Sequence, residues 1–452
     1  MRFSELASLW RNKPDRHVLP GWWETLILRL FTHRRYWYTS ERELMHHATH
    51  YYATRGVAAM LVVVALTLVG VESYRRVRAQ GLVDTLLSAK TSEVPTLVNE
   101  LVDYRRLIEP ALRDVAEGPS DPSSLSGDGS SARENKARRR LHASLGLLPF
   151  DPDQLTYLTK RLGHAQPAEV GVMIETMRKH QDNLIASQWQ ILEDNSQARL
   201  GSEKLRAACL LAAYAPNDTR WESNTDQVAL ALFEEDPSGL EAWIDLLRPV
   251  GHELVEPLTI QFHDPTAIES TRVLASRILA EFATGDPLTE LVLDANASQF
   301  QFLFPAIQSD RWTGTDALLA ELQSRRDVES DEAGRQLARR QRNAAIALLR
   351  IGNHEPTFPL LDGGPDSTAR TRLMLDMREF GVPLKTICDA ISRADTPSTR
   401  QALLIAAEPF ANAWVPVRDR NRLMDLARQH VQKGNHQGER SAAQWLISRW
   451  LP

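Results

Sequence analysis

Cysteine is nearly missing from this chain of 452 residues, and the two that occur, Cys209 and Cys388, exclude several classes at once. Two thiols cannot build a disulfide framework, and their separation fits no zinc-ribbon or finger spacing. Each lies in an apolar helical pattern, Ala-Cys-Leu-Leu and Lys-Thr-Ile-Cys, where a small buried side chain is the usual role. An excess of positive charge is missing as well. With a formal net charge of -5 and a pI near 6.3, no global field recruits a phosphate backbone, so nucleic acid is not an expected partner. Strand signals are missing too: there is no sustained period-two alternation, and no Asn-Gly or Asp-Gly turn flanked by strands.

Catalytic constellations are the next absence. No phosphate-cradling Gly-x-x-x-x-Gly-Lys-Ser/Thr loop, Gly-x-Gly-x-x-Gly turn, Gly-x-Ser-x-Gly elbow or His-Glu-x-x-His helix occurs. His252-Glu253 lacks the second histidine four positions on that zinc ligation needs. Arg418-Asp419, in Val-Arg-Asp-Arg-Asn, resembles a kinase catalytic loop without the Asp-Phe-Gly or glycine-rich loop that phosphoryl transfer requires, and reads as solvated charge. His46 and His50 share a helix face, with His47 beside them. They fit an exposed juxtamembrane face, and also a metal or pH-sensing role for which no third ligand is in view. The basic run Arg335–Arg342 is diluted by Asp327, Glu329, Asp331 and Glu332 and reads as a solvated helix face. The sequence therefore assigns no catalytic, cofactor-binding or metal-ligating residue, and no cofactor or small-molecule substrate.

What the chain does contain is one long apolar run. Every residue between Arg55 and Glu72 is uncharged, and Val57–Val71 is the most apolar window. A hydrocarbon core of ~30 Å needs about 20 residues. The run reaches that with help from Tyr51, Tyr52 and Tyr74 at the interfaces and from Arg55, Arg75 and Arg76, whose charges snorkel outward. A single transmembrane helix over 55–74 is expected. Ahead of it, residues 1–54 hold aromatic and basic helices. Pro20–Phe31 is amphipathic, with Tyr36-Trp37-Tyr38 adding aromatics, which suits either a helix in the headgroup layer or packing against the chain's own helices. Basic residues on both sides leave the positive-inside count undecided.

Beyond the span, residues 75–116 read as short membrane-proximal helices with Leu82, Leu86, Leu87, Leu97, Leu101, Val102, Leu107, Ile108 and Leu112 inward, and Pro95 and Pro110 as breaks. Residues 117–135 are rich in Ser, Gly and Pro and read as a flexible linker, its serines open to phosphorylation or acting as plain spacer. From 136 to 452 one helical sentence returns: Lys204–Ala215, Arg272–Ala283, Arg342–Gly352, Arg370–Gly381, Arg400–Ala411 and Arg440–Trp450. In most, an arginine opens the helix, small residues form a stripe, and Tyr214, Phe282, Ile351, Phe380, Phe410 or Trp450 closes it. Their spacing of about thirty to forty residues, or twice that, and intervening breakers such as Pro216, Pro237, Pro265, Pro287, Asp366 and Pro383 predict an irregular HEAT-like α-solenoid. The fold class expected is all-α.

Several stretches carry a resemblance: Leu19–Leu30, Ser92–Arg106, Arg140–Pro149 with Asp151-Pro152 and Tyr157-Leu158, Trp189–Asp194, Ala213–Asp218 with Trp221, and Ala443–Trp450. Together they resemble, nearly end to end, the middle region of large bacterial transmembrane serine/threonine protein kinases that carry a C-terminal formylglycine-generating-enzyme-like (sulfatase-modifying-factor) domain. The resemblance implies a kinase domain ahead of Trp22 and a formylglycine-generating-like domain after Trp450; neither lies within these residues, so no catalytic residue carries over. It also implies that the segment before the span is cytoplasmic. The function expected is a membrane-anchored, non-enzymatic scaffold with a protein partner and membrane lipid as its contacts; the alternative is a non-catalytic fragment of such a multidomain kinase.

Overall fold

The computed structural model describes residues 7, 19–31, 37–118, 131–194, 200–309, 313–324, 331–362 and 367–450. Arg34, Arg35 and Tyr36, most of the spacer (119–130), and Asp327, Glu329 and Asp366 lie outside them. Among the described residues all regular structure is helical and no strand occurs. Contacts divide the chain into two units, Met1–Gln154 and Leu155–Pro452.

In the first unit, helix α1 (Trp22–Phe31) precedes α2, a single unbroken helix of 50 residues, Thr39–Ser88. At 1.5 Å per residue α2 is about 75 Å long. It begins where the Glu41 carboxylate accepts the Tyr38 N–H at 2.9 Å, and it ends at Ala89, whose N–H still donates to the Thr85 carbonyl at 2.8 Å. The boundaries expected at 54/55 and 74/75 therefore fall inside one helix. No proline interrupts 39–88, and the single glycines Gly56, Gly70 and Gly81 each cost a helix only about 1 kcal/mol relative to alanine. Glu41–Ser88 contains the one helix among the described residues long and apolar enough to cross a membrane, and none of its most apolar window is buried. Thr67, inside that stretch, donates its hydroxyl to the Val63 carbonyl at 3.0 Å, so its polar group needs no outside partner.

The far end of α2 enters a small bundle with α3 (Val94–Leu101), α4 (Arg105–Glu117) and α5 (Ser131–Leu147). Leu86, Leu87, Leu101, Ile108 and Leu112 fill its core as expected, joined by Val94 and Val98, while Val102 is exposed. Pro95 sits in the first turn of α3, where its missing N–H costs nothing. Pro110 does not break the chain but lies inside α4; it and Arg106, whose carbonyl loses its partner, are both exposed, so water can take up that carbonyl. Residues 131–135, expected to be linker, form the first turn of α5. That helix, assigned by its sequence to the repeats, packs instead in this bundle: Leu141, Ala143 and Leu145 are fully buried, and His142 Nδ1 lies 2.9 Å from the Leu86 carbonyl. Gly146 is the point of closest approach, since a Cβ there would stand 2.9 Å from Leu86 Cδ2 and 3.2 Å from Leu112 Cδ1. Gly146→Leu is expected to cost roughly 1–3 kcal/mol by overpacking. Faster proteolysis within Arg105–Glu117 and Ser131–Leu147 of the full chain in detergent is the readout; unchanged cleavage there speaks against this packing.

The second unit is a run of helical hairpins. It comprises α6 (Gln154–Leu162), α7 (Pro167–Met177), α8 (Gln181–Glu193), α9 (Gly201–Tyr214), α10 (Trp221–Glu234), α11 (Leu240–Leu247) and α12 (Val255–His263). Then follow α13 (Glu269–Phe282), α14 (Gly285–Asp294), α15 (Ala297–Ile307), α16 (Thr315–Gln323) and α17 (Asp331–Arg350). The last are α18 (Phe358–Asp362), α19 (Ser367–Asp376), α20 (Leu384–Arg393), α21 (Pro397–Ala406), α22 (Val417–Lys433) and α23 (Gln437–Trp450). Helices touch the next and the next but one. In the C-terminal part α17, α19, α21 and α23 follow one another in one row, while α18, α20 and α22 cover them from the other. This is an α-solenoid of irregular hairpins. Lys204, Arg272, Arg370, Arg400 and Arg440 are each the fourth residue of their helix, so the repeated helices begin one turn earlier than the sequence suggested. Arg342 alone departs, falling in the middle of α17. Leu205–Ala212 and Arg342–Leu349 are buried on every side, which marks α9 and α17 as central helices rather than surface ones.

Candidate functional site

The second unit holds an open cleft of ≈ 620 Å³ with polar and charged side chains, lined from α12 to α19. Arg340 stands on its wall. Its Nε donates to Glu321 Oε1 at 2.9 Å, its Nη1 to Asp294 Oδ1 at 2.8 Å and its Nη2 to Glu290 Oε2 at 2.9 Å, joining α14, α16 and α17. Burial opposes its charge, but the three carboxylates outweigh that and hold the guanidinium protonated above its ordinary range. Two residues on, Arg342 donates to Asp376 Oδ2 at 2.5 Å and lies over the Phe380 ring at 4.3 Å; burial pulls its affinity for a proton down. Asn343 sends its amide to the carbonyls of Val292, Leu293 and Ala295 at 2.8–3.1 Å, which closes the C-terminus of α14. Arg350 packs over Phe304 at 3.6 Å and donates to the Phe380 carbonyl at 3.0 Å; burial pushes it down to about 10.

The cleft's cations are thus consumed by the protein's own carboxylates and carbonyls. The same device recurs along the array. Arg206 donates to the Ala165 carbonyl at 2.8 Å and to Glu235 at 2.5 Å. Arg370 reaches Ser398 Oγ at 3.4 Å, and Arg400 donates to Glu439 at 2.8 Å. From Arg342 onward one arginine of each row helix, Arg342, Arg370 and then Arg400, reaches the next helix of that row, which helps fix the stacking register. Chemically, this arrangement can hold layers together.

The reading of Arg335–Arg342 as a solvated face needs correction. Arg335 and Arg339 are exposed and pair with Glu332, but Arg340 and Arg342 are buried. The signal was available: both precede the apolar run Ala344–Leu349 by less than two turns, so they share the buried end of the helix. His46, His47 and His50 are exposed, with the first two rings edge to face at 6.1 Å. Among the described residues no three His, Cys, Asp or Glu side chains could jointly hold a metal. His252 is exposed beside Glu253 at 3.3 Å, and Arg418 is exposed.

Cys209 and Cys388 are buried and free. Burial raises both thiols, Cys388 to about 11, so neither forms thiolate near neutrality. A thiol reagent at pH 8 is expected to modify neither in the native chain and both in denaturant. Native labelling would show that the array opens.

His354, 5% exposed, faces Arg393 Nη1 at 3.1 Å, and burial, then the Arg393 charge, lowers its proton affinity. Its folded pKa lies below the 6.5 of the free group. The stability it confers is complete above 6.5 and is lost as pH falls through the folded value. The melting temperature should therefore fall on acidification below 6.5, and by less in His354→Gln; identical profiles contradict this assignment.

No family model matches this chain, and no curated protein sequence does either.

Proposed function

We propose that this chain is a single-pass membrane anchor carrying a non-catalytic helical-repeat scaffold for a protein partner. The observation that carries the reading is the uncovered apolar stretch of α2. Its best window has a mean hydropathy of 2.1 and no part of it is buried, and an aqueous protein does not leave such an area bare. The helix continues without interruption into the membrane-proximal bundle, so the anchor is stiff at that side. In the repeat unit, charges of the cleft are spent on internal ties, which favours recognition of a protein over turnover of a small molecule. The resemblance to the kinase family makes a bacterial signalling setting the natural one, with the α1 side cytoplasmic and a kinase or sulfatase-related module as the partner.

The anchor is tested by alkaline carbonate extraction of membranes from cells expressing the full chain. Retention in the pellet is expected, together with release of a Val63→Asp, Leu66→Asp double variant. Release of the unaltered chain sinks the reading. The rival, that the chain is a spacer within a multidomain kinase, is favoured by a kinase reading frame running directly into this one.

A further inference from the structure

Helix α1 carries its apolar side chains on the outside. Trp22 and Trp23 are 63% and 57% exposed and Leu30 and Phe31 71% and 79%, while among the described residues of the helix the buried one is Thr25 and only Leu28 of the apolar ones is half-buried. Thr25 is 6% exposed, with its hydroxyl donated to the carbonyls of Pro20 and Gly21 at 3.2 and 3.0 Å. Packing against the chain's own helices, one of the two readings the sequence allowed for this helix, would bury the opposite face. The structure therefore removes the ordinary reason for two adjacent tryptophans, and another must be found.

Position along α2 supplies it. The uncharged run Gly56–Val71 has 16 residues, about 24 Å, and must recruit roughly four more to match the hydrocarbon thickness. On the C-terminal side the carboxylate of Glu72 follows the run directly, so although Arg75 and Arg76 can snorkel, extension to Tyr74 would draw that shorter charged side chain into hydrocarbon. On the N-terminal side stands only Arg55, whose guanidinium folds back over the Tyr51 ring at 4.5 Å and so carries its charge one turn toward water. This places the span from about Tyr52 to Val71, three residues nearer the N-terminus than the 55–74 expected from the sequence. Helix α1 touches α2, and Leu44, Met45 and Ala48 on the first turns of α2 are buried. Ala48 lies four residues, about 6 Å, beyond that edge, and the headgroup layer is roughly 5–8 Å deep. Tryptophan is the side chain that favours this layer.

We propose that α1 is a second lipid contact, lying in the headgroup layer with Trp22, Trp23, Leu26, Ile27, Leu30 and Phe31 immersed, and that it sets the depth of the long helix. The inference rests on α2 spanning the bilayer. The two are separated by spin labels in the full chain, reconstituted in vesicles of phosphatidylcholine and phosphatidylglycerol at three to one. Labels at Ile27→Cys, Leu30→Cys, Glu24→Cys and Val63→Cys are compared, with the unsubstituted chain as the baseline for Cys209 and Cys388. The expected result is an oxygen-to-nickel-chelate collision ratio several times higher at positions 27 and 30 than at 24, and highest at 63. A label at 63 that collides with the aqueous chelate overturns the spanning reading. A label at 63 in hydrocarbon with 27 and 30 open to the chelate, or shielded from both reagents as by protein, overturns the inference about α1 alone.

Discussion

Arg340→Met is expected to lower the stability of the repeat unit by about 3–5 kcal/mol, the range for removing one partner of a buried ion pair. The side chain is 11% exposed and Glu321, which faces it, 9%, so that carboxylate loses its contact with Arg340 in low dielectric. Asp294 at 23% and Glu290 at 61% are wetter and lose less. Because the three acids come from α14 and α16, the loss should be local: a solenoid is held by neighbour contacts and opens in sections. Hydrogen exchange in the full chain is the measurement, with lost protection expected across 285–350 and little change beyond α20. Adding Glu321→Leu to Arg340→Met removes the buried carboxylate and should restore a large part of the protection. Uniform loss over the whole array, or no rescue, would mean that Arg340 is not the tie between these helices.

How far these features could be read from residues differs by kind. The apolar run of α2 is legible because lipid imposes a length and a composition that nothing else in the chain matches. The repeated helices are legible because a helix flanked by neighbours needs small residues on one stripe and a large one at its end, as in Ala275, Ser276 and Phe282. The helix starts were misplaced by one turn because the arginine that looks like an opening charge works sideways, toward the next helix, as Arg400 does toward Glu439. A pairing across 39 residues leaves no local trace. The same holds for Ser131–Leu147, whose Ala, Leu and Gly pattern fits either unit; only the space around Gly146 decides which. The outward face of α1 was half legible. An amphipathic pattern states that one face is apolar but not whether protein or lipid covers it.

At the C-terminal end of the ladder the charge deserving a test is Glu439, 1% exposed. Its Oε1 accepts Arg400 Nε at 2.8 Å and lies 2.7 Å from His430 Nδ1, so one carboxylate ties α21, α22 and α23 together. Burial works against its ionisation, but hydrogen bonds and charge from Arg400, then His430, outweigh it and bring the carboxyl below its ordinary 4.5. A carboxylate with a depressed folded pKa stabilises above the unfolded value, 4.5 here, and loses that contribution as pH falls through the folded one. Glu439→Leu should therefore cost about 1–3 kcal/mol at neutral pH, because the half-buried Arg400 loses its carboxylate partner and keeps the carbonyls of Ala394 and Asp395. Arg400→Met beside it should cost less than the two single changes summed, the coupling a double-mutant cycle reads for groups in contact. On acidification below 4.5 the unaltered chain should lose stability faster than Glu439→Leu, so their unfolding curves converge. Curves that stay parallel down to pH 3 would place the ordering of these three helices in their apolar contacts, Leu403, Leu423 and Leu446, and not in the carboxylate.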